Sequence, residues 1–119
     1  LPDYKFHCSN GKVRFILVCN QKGAKRYKNV FDRDWKELDV VEGTEVDKNP
    51  VKRPDKLEEM ICMAEKLGEG IPFVRVDLYL ADEKIYFGEM TFTPATGVLS
   101  HFKDAFLEEE GKYCVTEKE

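Results

Sequence analysis

With 119 residues, 42% hydrophobic and 35% charged, the chain has enough apolar side chains for one modest domain with a core. The net charge of −4 excludes the basic excess of a non-specific nucleic-acid binder. No apolar run approaches the roughly 20 residues of a membrane span, and no signal peptide opens the sequence.

The chain opens with a predicted hairpin. Asn10-Gly11 is a strong signal for a two-residue type I′ turn, which sets Ser9 against Lys12. That register places Tyr4, Phe6 and Cys8 on one face with Val13, Phe15 and Leu17, an apolar face expected in the core. The opposite face then carries Lys5, His7 and Arg14. Two readings stand for it: a solvated sheet face, or a cleft wall on which Lys5 and Arg14 hold phosphate or an acidic substrate. His7 has no partner that the sequence identifies.

Residues 21 to 26, Gln-Lys-Gly-Ala-Lys-Arg, read as a basic loop. Tyr27 to Phe31 and Trp35 to Val41 read as short strands. Asp32-Arg33-Asp34-Trp35 between them is expected to be a turn, with the aspartates capping and Trp35 packed. Glu42 to Arg53 is polar and reads as a surface loop.

A long helix is expected over about residues 54–68. Pro54-Asp55 opens it, and Leu57, Met60, Ile61, Ala64 and Leu67 form one apolar stripe. Gly68 and Gly70 end it. Beyond residue 97, Val98 to Glu110 reads as a second helix with His101 on its surface, followed by a polar tail over 111–119. Cys8, Cys19, Cys62 and Cys114 lack C-x-x-C spacing, so free thiols in a reducing cytoplasm are expected, not a zinc site.

The most informative stretch lies between these helices. Phe73 to Leu80 alternates Val74, Val76, Leu78 and Leu80 with Arg75, Asp77 and Tyr79, the pattern of a half-buried strand. Ile85 to Met90 forms a second strand carrying Glu89. An arginine and two carboxylates on neighbouring strands are the parts of a site for a hard cation carrying phosphate. Their convergence depends on register. A two-residue loop at Asp82-Glu83 pairs Asp77 with Gly88 and turns Glu89 to the other face. A three-residue loop over Asp82-Glu83-Lys84 sets Asp77 across from Glu89, with Arg75 beside it. A one-residue slip exchanges the faces, so the two arrangements exclude each other.

This segment resembles the metal-binding end of the ATP-grasp ligases, in which Arg-x-Asp on one strand precedes Glu-x-Asn on the next and a Pro-Gly loop. The matching residues are Arg75 and Asp77, then Glu89 and Thr91, then Pro94 and Gly97. The likeness is closer to the TupA-like branch, found with teichuronopeptide and other bacterial surface-polysaccharide genes. It extends to Asp3-Tyr4-Lys5-Phe6 and Phe31-Asp32-Arg33-Asp34-Trp35, over roughly residues 2 to 100.

The resemblance implies that Asp77 and Glu89 bind Mg²⁺, that Arg75 faces the phosphoryl group, and that Lys5, Arg14 and Thr91 contribute to ATP or substrate binding. Thr91 stands where the wider superfamily has Asn. The fold it implies is α+β: an antiparallel sheet packed by one long helix, a single lobe over 1–110 like the C-terminal lobe of ATP-grasp enzymes. The upstream nucleotide-binding lysines have no counterpart, so the chain reads as a fragment. The function implied is the magnesium- and phosphate-binding lobe of an ATP-dependent carboxylate–amine ligase of surface-polymer synthesis, inactive by itself. A non-catalytic assembly module and a glycosyltransferase are the alternatives. Exposed sheet edges favour a homodimer.

Overall fold

The computed structural model describes residues 1–41 and 45–92. The expected second helix, His101, the Pro94–Gly97 loop, Cys114 and the polar tail lie outside the described residues. The elements are β1 (Asp3–Ser9), β2 (Lys12–Lys22), β3 (Lys25–Phe31), β4 (Glu37–Leu38), α1 (Leu57–Leu67), β5 (Phe73–Ala81) and β6 (Lys84–Thr91). The six strands form one sheet in the order β4-β3-β2-β1-β5-β6, and every neighbouring pair is antiparallel.

The expected sheet packed by one long helix is not what forms. Among the described residues the fold is mostly sheet, with a single helix of 11 residues in place of one over 54–68. Two features account for this. Pro54 and Lys56 stay outside the helix: the Leu57 amide bonds to the Pro54 carbonyl at 3.1 Å, and Lys56 gives no side-chain cap. At the other end Gly68 closes the helix with its amide 2.9 Å from the Ala64 carbonyl. A second, smaller apolar cluster also lies on the sheet face away from α1, so the helix does not cover all of what is buried.

That second cluster arises from a β-bulge. The Asn10-Gly11 turn forms as expected, with φ of 54° and 75°, and Ser9 pairs with Lys12. Cys8 then pairs with Val13 but His7 pairs with Phe15, which leaves Arg14 as the extra residue. A bulge of this kind sets two residues against one and shifts all that follow by one position. Tyr4, Phe6 and Cys8 therefore share the α1 face with Val13, Ile16 and Val18. Phe15 and Leu17, expected on that face, turn to the other and pack with Val30 and Val41. Val40 and Val46 close over them from the chain between β4 and α1.

The remaining contacts hold the helix and turns in place. Glu65 on α1 accepts from the Val13 amide at 2.9 Å and from the Arg33 guanidinium. Burial acts to raise the Glu65 carboxyl, but these two donors outweigh it and hold it below the usual value. Trp35 stacks on Phe31 at 4.1 Å, and Asp32 accepts from the Asp34 and Lys36 amides at 2.9 Å, so this segment is a capped turn.

Candidate functional site

The β5–β6 hairpin resolves the register question in a way that the two exclusive loops did not allow. Asp82 and Glu83 form a two-residue turn, with φ of 51° and 62°, and Ala81 pairs with Lys84. Tyr79 faces Tyr86 and Leu78 faces Phe87, as that short loop requires. A bulge then interrupts the ladder, and Asp77 pairs with Glu89 while Gly88 is left over. A Cβ on Gly88 would lie 3.1 Å from the Asp77 carbonyl oxygen, so glycine lets the bulged strand pass close to β5.

Strand pairing now lines up two rows on the face away from α1. Lys5 of β1 pairs with Asp77 of β5, which pairs with Glu89 of β6. The neighbouring row runs His7, Arg75, Thr91. Asp77 is the centre. Its Oδ2 accepts from Lys5 Nζ at 2.9 Å and from Arg75 at 3.0 Å, and its Oδ1 accepts from Arg75 Nε at 2.8 Å. The same guanidinium donates to Glu89 Oε1 at 3.3 Å, and Asp3 lies 3.8 Å from Lys5.

Exposure separates the two acids. The Asp77 side chain is 7% accessible and its cations 18% each, whereas Glu89 is 64% accessible. Asp77 is a buried anchor that fixes two cations. Glu89 presents its carboxylate to whatever approaches the sheet.

Of the six residues singled out from sequence, Lys5, Arg75, Asp77 and Glu89 make one connected cluster, and Thr91 stands beside it as the register partner of Arg75. Arg14 does not join the row, because the bulge removes it from the ladder. The described residues include no group of three or more His, Cys, Asp or Glu arranged to hold a metal ion.

One residue of this face was left without a role in the sequence. His7 is fully buried, stacked on Phe15 at 4.3 Å, and neither ring nitrogen has a hydrogen-bond partner among the described residues. Burial, then the charges of Arg75 and Lys5, push its imidazole down to about 3, so it is neutral at physiological pH. The signal for its burial was present: Phe15-Ile16-Leu17-Val18 is a continuous apolar run, the mark of a strand buried on both faces.

A family model described as TupA-like ATPgrasp matches residues 1–115. The chain belongs to the TupA-like ATPgrasp family. Comparison with curated proteins and comparison with solved structures each gave no match. The matched span includes the β1–β2 and β5–β6 hairpins and the Lys5–Asp77–Glu89 row. No described helix is long and apolar enough to cross a membrane.

Proposed function

We propose that this chain carries the magnesium- and phosphate-binding surface of an ATP-dependent carboxylate–amine ligase acting on a bacterial surface polymer. The observation that carries the reading is the pairing of Asp77 with Glu89 beneath one guanidinium. Like charges directly opposite on a sheet repel, and such pairs persist where cations neutralise them. Here Arg75 and Lys5 do so.

The donors suit Mg²⁺. It takes oxygen ligands, commonly one or two carboxylates, with water and substrate phosphates completing the shell. Glu89 is open to solvent, and the contact described for it uses one oxygen, Oε1. Glu89 and Asp77 would hold the ion, with the Thr91 hydroxyl at the next row. Bound there, the ion would neutralise phosphate charge. Arg75 and Lys5 act beside it. Both are already fixed by Asp77, so they present positive charge to phosphate oxygens with little reorganisation when charge builds on them, the condition for strong electrostatic stabilisation. His7 beneath them is neutral and adds no charge that would repel a cation.

The test is a titration of ATP with and without Mg²⁺, followed by backbone amide shifts. Mg²⁺-dependent shifts at Arg75, Asp77, Glu89 and Thr91, abolished in Glu89→Gln, are expected. A flat titration of folded protein would remove the reading. It would favour the alternative of a non-catalytic assembly module, which has one observation on its side: Asp77, Lys5 and Arg75 already satisfy one another.

A further inference from the structure

Away from this row, the tip of the β2–β3 hairpin concentrates positive charge in a chain whose net charge is −4. Lys22 and Lys25 pair across the turn, and Tyr27 follows on the same face as both. Residues 46–49 fold against them and complete a cleft of about 670 Å³ lined by Lys22, Lys25, Tyr27, Asp47, Lys48 and Asn49, with Val46 at its apolar side. The wall is anchored. The Asp47 carbonyl accepts from Asn29 Nδ2 at 3.0 Å, the Asn49 carbonyl from Lys22 at 3.1 Å, and the Glu45 carbonyl from the Lys28 amide at 2.8 Å.

The charges in the cleft do not cancel. Asp47, which is buried, pairs with Lys22 at 2.7 Å and accepts from the Asn49 amide at 2.9 Å. The Lys22 contact, then the amide, hold its carboxyl below the usual range. Lys22 is thereby neutralised, while Lys25 and Lys48 have no carboxylate partner among the described residues. Lys25 Nζ instead lies 5.2 Å from the Tyr27 ring centre, and Lys22 Nζ lies 5.9 Å from it. The cleft thus keeps two positive charges beside an aromatic face.

We propose that this cleft binds a phosphomonoester, its phosphate between Lys25 and Lys48 and its organic part against Tyr27. A phosphomonoester carries about −1.5 to −2 at neutral pH, which matches the two lysines left over. Lysine is a compact point charge suited to phosphate, and a carboxylate, with a single negative charge, would leave one of the two lysines unmatched. The aromatic ring gives an apolar surface for a sugar or other ring.

The site is distinct from the Asp77 row. Lys22, Lys25 and Tyr27 project from the α1 side of the sheet, and Asp77 from the other. Strand spacing puts the two about 20 Å apart. The cleft therefore takes a second ligand, and its occupancy does not depend on the nucleotide reading above.

The experiment is an amide-shift titration of the full chain with phenyl phosphate, inorganic phosphate and benzoate in parallel. Phenyl phosphate is expected to move residues 22–27 and 46–49, inorganic phosphate to move them more weakly, and benzoate to bind about tenfold less tightly or worse. Lys25→Ala with Lys48→Ala should weaken phenyl phosphate at least about tenfold, a loss of roughly 1.4 kcal/mol. Tyr27→Leu should erase its advantage over inorganic phosphate, and Glu89→Gln, an exposed change in the other row, should leave the response at residues 22–27 and 46–49 unchanged. Equal binding of benzoate, retention of binding in the folded lysine double variant, or loss of binding in folded Glu89→Gln would each overturn the proposal.

Discussion

In the β1–β2 hairpin the bulge falls at Arg14, and the residues it redirects are Phe15 and Leu17. In the β5–β6 hairpin it falls at Gly88, and the residue it redirects is Glu89. Both bulges turn side chains toward the same face of the sheet. There the first adds rings and aliphatic groups that exclude water from His7, and the second adds an acid that stays 64% accessible. One device thus builds the dry end of the face and the charged end. The difference between the ends lies in what each redirected side chain meets: Val30 and Val41 in one case, Arg75 in the other.

The largest effect tests the dry end. His7 titrates at about 3 in the folded chain against about 6.5 when unfolded, so the unfolded state takes the proton first. The neutral ring's contribution is intact above pH 6.5 and is lost as pH falls toward 3, on the order of 4 kcal/mol in all. Urea melts across that range should show the loss. His7→Leu should flatten it, and should itself be close to neutral in stability, because it replaces two unpartnered buried nitrogens with apolar surface. A slope that persists in His7→Leu would move the acid sensitivity elsewhere.

At the charged end the two carboxylates should behave oppositely. Asp77→Ala strips the partner from two largely buried cations and should cost about 3 kcal/mol. Glu89→Gln loses one exposed contact at 3.3 Å and should cost at most about 0.5 kcal/mol. Chemical denaturation of the two variants makes the comparison. Equal losses would mean that Glu89 is as structural as Asp77 and is not held ready for a ligand.

Deleting either bulge residue tests the bulges themselves. A deletion inside a strand ordinarily inverts every side chain that follows. Here Val13 and Phe15 already point to opposite faces, as do Phe87 and Glu89, so removing Arg14 or Gly88 leaves the flanking faces as an unbulged strand would have them. Each deletion should cost only about 1–2 kcal/mol, and the Gly88 deletion should keep Asp77 across from Glu89. Amide spectra that report a displaced β2 or β6 would show that the bulge residue sets the register.

The Asn10-Gly11 turn and the apolar stripe of α1 were legible because each rests on local chemistry, although the helix is shorter than the one expected over 54–68. Asn10-Gly11 accepts positive φ cheaply, and Leu57, Met60, Ile61 and Ala64 repeat at helical spacing. The bulges were not legible, because their position is decided by partners distant in sequence. Phe15 and Leu17 can face away from α1 only because Val30, Val41 and Val46 are there to cover them. The same holds for the candidate site. Arg75, Asp77 and Glu89 were readable as residue types that favour a cation and phosphate. Their adjacency needed Gly88 to be passed over, and Arg14 left the row for the same kind of reason.

A modest effect of opposite sign concerns the two turns. Asn10-Gly11 has the residues that tolerate a left-handed backbone, whereas Asp82-Glu83 takes that conformation with a glutamate at φ 62°. A side chain there costs roughly 1–2 kcal/mol relative to glycine, less glycine's greater freedom in the unfolded chain. Glu83→Gly should therefore stabilise the protein by about 1 kcal/mol, seen as a higher melting temperature. It should leave the Mg²⁺-dependent response proposed for Glu89 unchanged, because the pairs from Ala81–Lys84 to Leu78–Phe87 and the bulge at Gly88 stand between turn and site. A Glu83→Gly variant that gained stability but lost that response would mean the strained turn helps to set the bulge. The second hairpin would then differ from the first in being held in register from its turn.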